Sequence, residues 1–174
     1  MNLIGHQISE SEKVNQLVTQ LVTEVSRLNE QIPGVRPPQA EHEANGKKWI
    51  EKTGLLRGRP LHYPYIGTGA GRGPYVELED GSVKLDLING IGIHLFGHGH
   101  PRVMAAAVRG ALSDIIVQGN LEPNREYGMV TEKLVQLAGR NSRLKHAWLA
   151  TCGTMANENA LKIARQKHSP ARMI

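Results

Sequence analysis

Residues 150–165 read "ATCGTMANENALKIAR", and the fold class turns on how this stretch divides. Its first part, Ala150 to Thr154, is small and polar. After it, Ala156, Ala160, Ile163 and Ala164 share one face of a helix. The residues before it, "KHAWLAT" at 145–151, read as an apolar strand. A strand, a tight turn and a helix make the repeating unit of a parallel α/β sheet. A helix leaves its first N–H groups unpaired, and its dipole makes that end partly positive. Gly153 lets backbone approach an anion closely, and Thr154 adds a hydroxyl donor. A phosphate monoester suits such a mouth. So does an ordinary capped helix with no ligand.

Working outward, "ARMI" at 171–174 begins another strand, so the chain is expected to stop inside a strand–helix–strand unit, as a piece of a larger protein. Upstream, Asn124 to Ala138 is a helix with Val130, Leu134 and Leu137 inward and Gly139 as its stop. Pro101 opens another helix, because its missing N–H is not needed there. Val103, Met104, Ala107, Val108, Ala111 and Leu112 give that helix its buried face. The run "INGIGIHLFGHGHP", 88–101, reads as a short strand and a Gly-rich bend. "YVELEDGSVKLDL", 75–87, is a hairpin, with Asp80-Gly81 as a two-residue turn between alternating segments.

Before the hairpin, "HYPYIGTGAGRGPYVEL" places glycines at 67, 69, 71 and 73. Their alternation misses the G-x-G-x-x-G spacing, and they precede a strand instead of following one. They read as a flexible approach. "PGVRPPQAEHEANGKK", 33–48, reads as a polar linker stiffened by Pro37-Pro38. Ser9 to Gln31 is the clearest helix, with Val14, Leu17, Val18, Leu21, Val22, Val25 and Leu28 in one stripe. Ser9 and Glu12 form a capping-box pattern at its start, and Pro33-Gly34 ends it. That stripe packs on its own domain or on a partner subunit.

The chain has 174 residues, 40% of them apolar and 21% charged, which fits a soluble globular protein. Aromatics are 4%, thin for a self-sufficient core. The net charge of +5 is scattered, with no basic run and no interleaved aromatics, so nucleic acid is not the expected partner. Cys152 is the single cysteine, which excludes an internal disulfide and fits a reducing, cytoplasmic setting. No basic-then-apolar leader opens the sequence, and no apolar run reaches the roughly 20 residues that span a bilayer.

"CGTMANENALKIAR" resembles the Ser-Gly-Thr-Glu-Ala-Asn-Glu-x-Ala-x-Lys-x-Ala-Arg signature of class III aminotransferases, the kind that includes acetylornithine, ornithine and 4-aminobutyrate aminotransferases. "YVELEDGSVKLDLINGIGIHLFGHGHPRVMAA" resembles the same family's Asp-Gly hairpin leading to Gly-His-x-His-Pro and a helix. The two motifs stand in the family's order, over roughly Gly73 to Ile174. The resemblance implies the amino-terminal part of a fold-type-I α/β transferase that binds pyridoxal 5′-phosphate. Its expected parts are a helical arm at 1–35, a linker and Gly-rich approach at 36–74, a small antiparallel segment with a helix at 75–120, and the start of a large, mostly parallel α/β domain at 121–174.

The same resemblance implies that Gly153, Thr154 and Cys152 belong to the cup for the cofactor phosphate. Cys152 stands where the family often has Ser, and Met155 where it often has Glu. Tyr63 and Ile91 are the candidate substrate contacts. His94, His98 and His100 offer no evident full metal ligand set, and no metal is expected. In the family a lysine holds the cofactor as a Schiff base and moves the proton. That lysine and its partner aspartate come well downstream of the signature. Lys162 sits on the signature helix, where it should face solvent or a neighbouring carboxylate, and Lys145 and Lys167 flank it. The implied activity is amino transfer from an amino acid or ω-amino compound to a 2-oxo acid by a homodimer. The isolated chain is expected to be inactive. The alternative is a non-catalytic module that binds phosphate, a cofactor or another protein.

Overall fold

The computed structural model describes residues 3–113 and 123–167. The chain divides into two compact units, Met1–Ser113 and Asp114–Ile174. The strand expected at 171–174 lies outside the described residues.

The first unit opens with helices α1 (Ile4–Glu10) and α2 (Glu12–Asn29). One helix was expected over 9–31; the chain instead breaks at Ser11, whose ψ of 115° is extended. Ser11, not Ser9, is the cap: its hydroxyl accepts from the Val14 amide at 3.3 Å. The Ser9 hydroxyl donates to the His6 carbonyl at 2.9 Å. Only an oxygen three residues ahead of an open amide can reach it, and the break at Ser11 frees Val14. The apolar stripe also splits. Val18 and Val22 are buried, whereas Leu17, Leu21 and Leu28 are about half exposed. The buried side of α2 packs on α5 (Pro101–Ala111) and touches β1 (Gly67–Arg72). On α5 the more covered residues are Met104 and Val108, as expected, and Ala105; Val103 and Leu112, expected inside, are about half exposed, and Ala107 and Ala111, expected inside, are exposed too.

Residues expected within a polar linker form a helix, α3 (Ala40–Leu56). It carries no apolar stripe, which is why its period is silent in the sequence. It docks through Gly46, where an added Cβ would lie 2.9 Å from the Asp80 Cβ. The Gln39 amide donates to the Asp80 carbonyl at 2.9 Å, and this fixes the start of the helix to the hairpin turn.

β1, β2 (Tyr75–Leu78) and β3 (Val83–Leu85) form one antiparallel sheet in the order β1-β2-β3. The expected hairpin is β2–β3, with Glu77 opposite Val83. The glycine run expected as a flexible approach is itself a strand, β1, with an irregular register between Gly67 and Gly71. Alternate glycines leave one face of β1 bare, and a Cβ on Gly71 would lie 2.8 Å from the His98 Cβ. Val83 and Ser82 are wholly buried, and with Leu78 and Ile32 they seat the sheet. Each buried aliphatic side chain contributes about 1.5–3 kcal/mol. Arg36 extends the β3 edge through paired bonds to Val83 (3.1 and 2.9 Å), and its guanidinium meets Glu77 at 2.8 Å.

The stretch 88–101 holds no strand. It contains α4 (Asn89–Gly92), a short turn in which Asn89, Gly90 and Ile91 have φ of 54°, 56° and 57°.

The second unit contains α6 (Arg125–Ala138), a 3-10 turn over Gly139–Asn141, and α7 (Gly153–Lys167). The Asn124 side chain caps α6 by accepting from the Tyr127 amide at 2.9 Å. Val130, Leu134 and Leu137, expected inward, are 43–48% exposed; Tyr127, Thr131 and Val135 are the more covered face. Residues 145–151, expected as a strand, carry no strand among the described residues. Among the described residues the only sheet is the antiparallel one. No described helix is long and apolar enough to cross a membrane.

Candidate functional site

The start of α7 has the form the sequence suggested. Its first intrahelical bond runs from the Ala156 amide to the Cys152 carbonyl at 3.0 Å. The amides of Gly153, Thr154 and Met155 precede that bond, and no acceptor for them stands among the described residues. Cys152, Gly153 and Thr154 are all exposed. A Cβ added at Gly153 would meet nothing within 4 Å, so no side chain or backbone crowds Gly153 on that side. Open amides, a nearby hydroxyl and the positive end of a helix suit a phosphate group. The pyridoxal 5′-phosphate implied by the resemblance fits these residues on that ground. Lys162 is 69% exposed, with its Nζ 3.6 Å from Glu158 Oε2. Cys152 is a free, exposed thiol.

Tyr63 and Ile91 lie in the first unit, while Cys152, Gly153 and Thr154 lie in the second. Tyr63 is 62% exposed, its ring edge-on to His62 at 4.6 Å. Ile91 is 93% exposed and sits in the left-handed turn. A β-branched residue there costs about 1–2 kcal/mol.

Beside that turn stands a pair that the sequence did not single out. His98 Nε2 donates to Asp86 Oδ2 at 2.7 Å, with each side chain 16% exposed. Asp86 Oδ1 accepts the amides of Ile88 and Asn89, both at 2.9 Å. The His94 ring lies 4.0 Å from the His98 ring. No three His, Cys, Asp or Glu side chains among the described residues are grouped to hold a metal ion. A signal was present: Asp86 stands three residues before Asn89-Gly90, a dipeptide that favours positive φ, and twelve before His98.

The hydrogen bond from His98, and after it the amide of Asn89, holds the Asp86 carboxyl below the usual carboxylate range. A depressed folded value means that Asp86 stabilises the turn above its unfolded value of about 3.9. That contribution is lost as pH falls through the lower folded value. In an acid titration followed by NMR, the Ile88 and Asn89 amides should therefore move together with a midpoint below about 3.9. A midpoint above it would contradict the contact.

A family model for class III aminotransferases matches residues 60–173. The acetylornithine aminotransferase of Mycobacterium tuberculosis (strain ATCC 25618 / H37Rv) is 33% identical over 102 residues, 59% of this chain and 25% of that protein. That of Bacillus anthracis is 36% identical over 104 residues, 60% of this chain and 25% of its own. The glutamate-1-semialdehyde 2,1-aminomutase of Symbiobacterium thermophilum is 34% identical over 106 residues, 58% and 23%. The chain thus spans about a quarter of the length of these relatives. No solved structure matches the chain.

Proposed function

The chain belongs to the class III aminotransferases, and from that premise we propose that it supplies the phosphate-binding start of an enzyme that moves an amino group to a 2-oxo acid. The family's cofactor, pyridoxal 5′-phosphate, supplies when bound an electron sink that eases proton loss beside the amino nitrogen. This chain's share is binding and orientation. The Gly153 and Thr154 amides and the Thr154 hydroxyl hold the phosphate, with the Cys152 carbonyl tied back to Ala156 so that only donors face the anion. Tyr63 and Ile91 contact the amino donor. The acetylornithine aminotransferases among the relatives make N-acetylornithine the first donor to test. The working form is a homodimer in the cytoplasm.

The observation that carries this reading is the start of α7, where the Gly153 and Thr154 amides have no acceptor among the described residues and a Cβ on Gly153 would meet nothing within 4 Å. Titration of pyridoxal phosphate into the 15N-labelled chain should shift the Gly153 and Thr154 amides together. Pyridoxal without the phosphate should leave them in place. Equal shifts with both compounds, or with neither, would remove the reading.

The lysine that carries the cofactor in the family has no counterpart in the signature helix. Lys162 is exposed and paired with Glu158, and Lys145 and Lys167 are exposed as well. The 174-residue chain alone is therefore expected to give no turnover of N-acetylornithine with 2-oxoglutarate in a coupled assay, and measurable turnover would refute this.

A further inference from the structure

The strained turn at 89–92 is the feature the proposed function leaves unexplained. Four consecutive residues, Asn89, Gly90, Ile91 and Gly92, have positive φ, and two of them, Asn89 and Ile91, are not glycine. Local strain of this kind persists only where the surroundings over-determine it. The Ile91 side chain cannot be what holds it, because that side chain is 93% exposed and gains nothing by packing. The restraint comes from the backbone. Asp86 Oδ1 takes the Ile88 and Asn89 amides, Ile91 donates to the Ile88 carbonyl at 3.0 Å, and His94 donates to that of Asn89 at 3.2 Å.

Asp86 is itself clamped from both sides. Its amide donates to the Pro74 carbonyl at 2.8 Å. Its other carboxylate oxygen takes His98 Nε2, and His98 is pinned to Gly73 by two backbone bonds of 3.0 and 2.8 Å. Both ends of the anchor thus rest on Gly73-Pro74, the connection between β1 and β2. A sheet-mounted carboxylate that satisfies two amides at once can hold a turn that the chain would otherwise leave.

We infer that Asp86 and His98 are a positioning pair, which locks residues 89–91 in the left-handed turn and so fixes where the Ile91 side chain is presented. The use of that side chain against the amino donor rests on the aminotransferase reading; the lock does not.

NMR of the full 174-residue chain tests it. The readouts are amide hydrogen exchange at Ile88 and Asn89, and the coupling constants and carbon shifts that report φ at Ile91. Asp86→Ala should speed exchange at both amides at least tenfold and abolish the left-handed signature at Ile91. The Val83 amide, bonded to the Arg36 carbonyl at 2.9 Å, serves as the fold control and should stay protected. Asp86→Asn keeps an oxygen for the two amides and should restore most of the protection, whereas Asp86→Leu fills the space without an acceptor and should not, a difference that a general packing role would not give. His98→Ala should act in the same direction as Asp86→Ala, and it decides the matter if Asp86→Ala unfolds the sheet. An Ile91 that stays left-handed in His98→Ala, or in a folded Asp86→Ala, overturns the proposal. These readings come from residues 88–91, so a failed pyridoxal phosphate titration at Gly153 would end the aminotransferase reading without touching them.

Discussion

Replacement of Gly99 by valine is expected to destabilise the first unit by about 2–5 kcal/mol, the sum of a left-handed backbone penalty and an overpacked contact. Gly99 has a φ of 66°, which a β-branched residue resists. A Cβ there would lie 2.5 Å from the Gly71 carbonyl oxygen and 2.8 Å from Asn29 Nδ2. The carbonyl cannot retreat easily, since the neighbouring Gly73 and His98 exchange two backbone bonds. Asn29 ends α2, so the crossing at Gly99 joins that helix to the sheet. The buried apolar core among the described residues is Val18, Val22, Ile32, Leu78 and Val83. Against so small a core and a typical net stability of roughly 5–15 kcal/mol, the loss is large. Urea unfolding followed by circular dichroism should show the midpoint falling sharply. An unchanged midpoint would mean that the loop does not cross β1 as described.

Gly153→Asp should move binding and stability in opposite directions. An acidic residue in the first turn of α7 favours the helix by about 0.3–1 kcal/mol through the dipole. The same carboxylate occupies the open space in front of Gly153 and repels an incoming phosphate. Affinity for pyridoxal phosphate is expected to fall at least about tenfold, a cost of roughly 1.4 kcal/mol or more, while the thermal midpoint holds or rises. Calorimetric titration and a thermal melt of the same sample check the two signs. Undiminished binding would place the phosphate elsewhere.

What was legible lay where local chemistry is strong. The Asp80-Gly81 hairpin, Pro101 at the start of α5, Asn124 before α6 and the helix after Cys152 all stand where the residues indicate. At the candidate site, the open amides of α7 and the solvated Lys162 follow from helix geometry alone. The family was legible for a related reason: a signature records residue types, and those survive without any partner. What escaped was of another kind. α3 has no stripe because it docks through Gly46. The glycines of β1 look like loop residues because their use is the passage of His98. Asp86 and His98 are twelve residues apart and meet only because both are bonded to Gly73-Pro74.

By itself, then, the sequence determined the starts of α5, α6 and α7, the hairpin and the family, because caps, turns and signatures act within a few residues of chain. Tertiary structure alone decided that 67–72 is a strand and that Ile91 is left-handed. The physical reason is that each of these depends on a partner. A strand needs a ladder beside it, a glycine run needs the backbone that crosses it, and a strained turn needs the carboxylate that holds it.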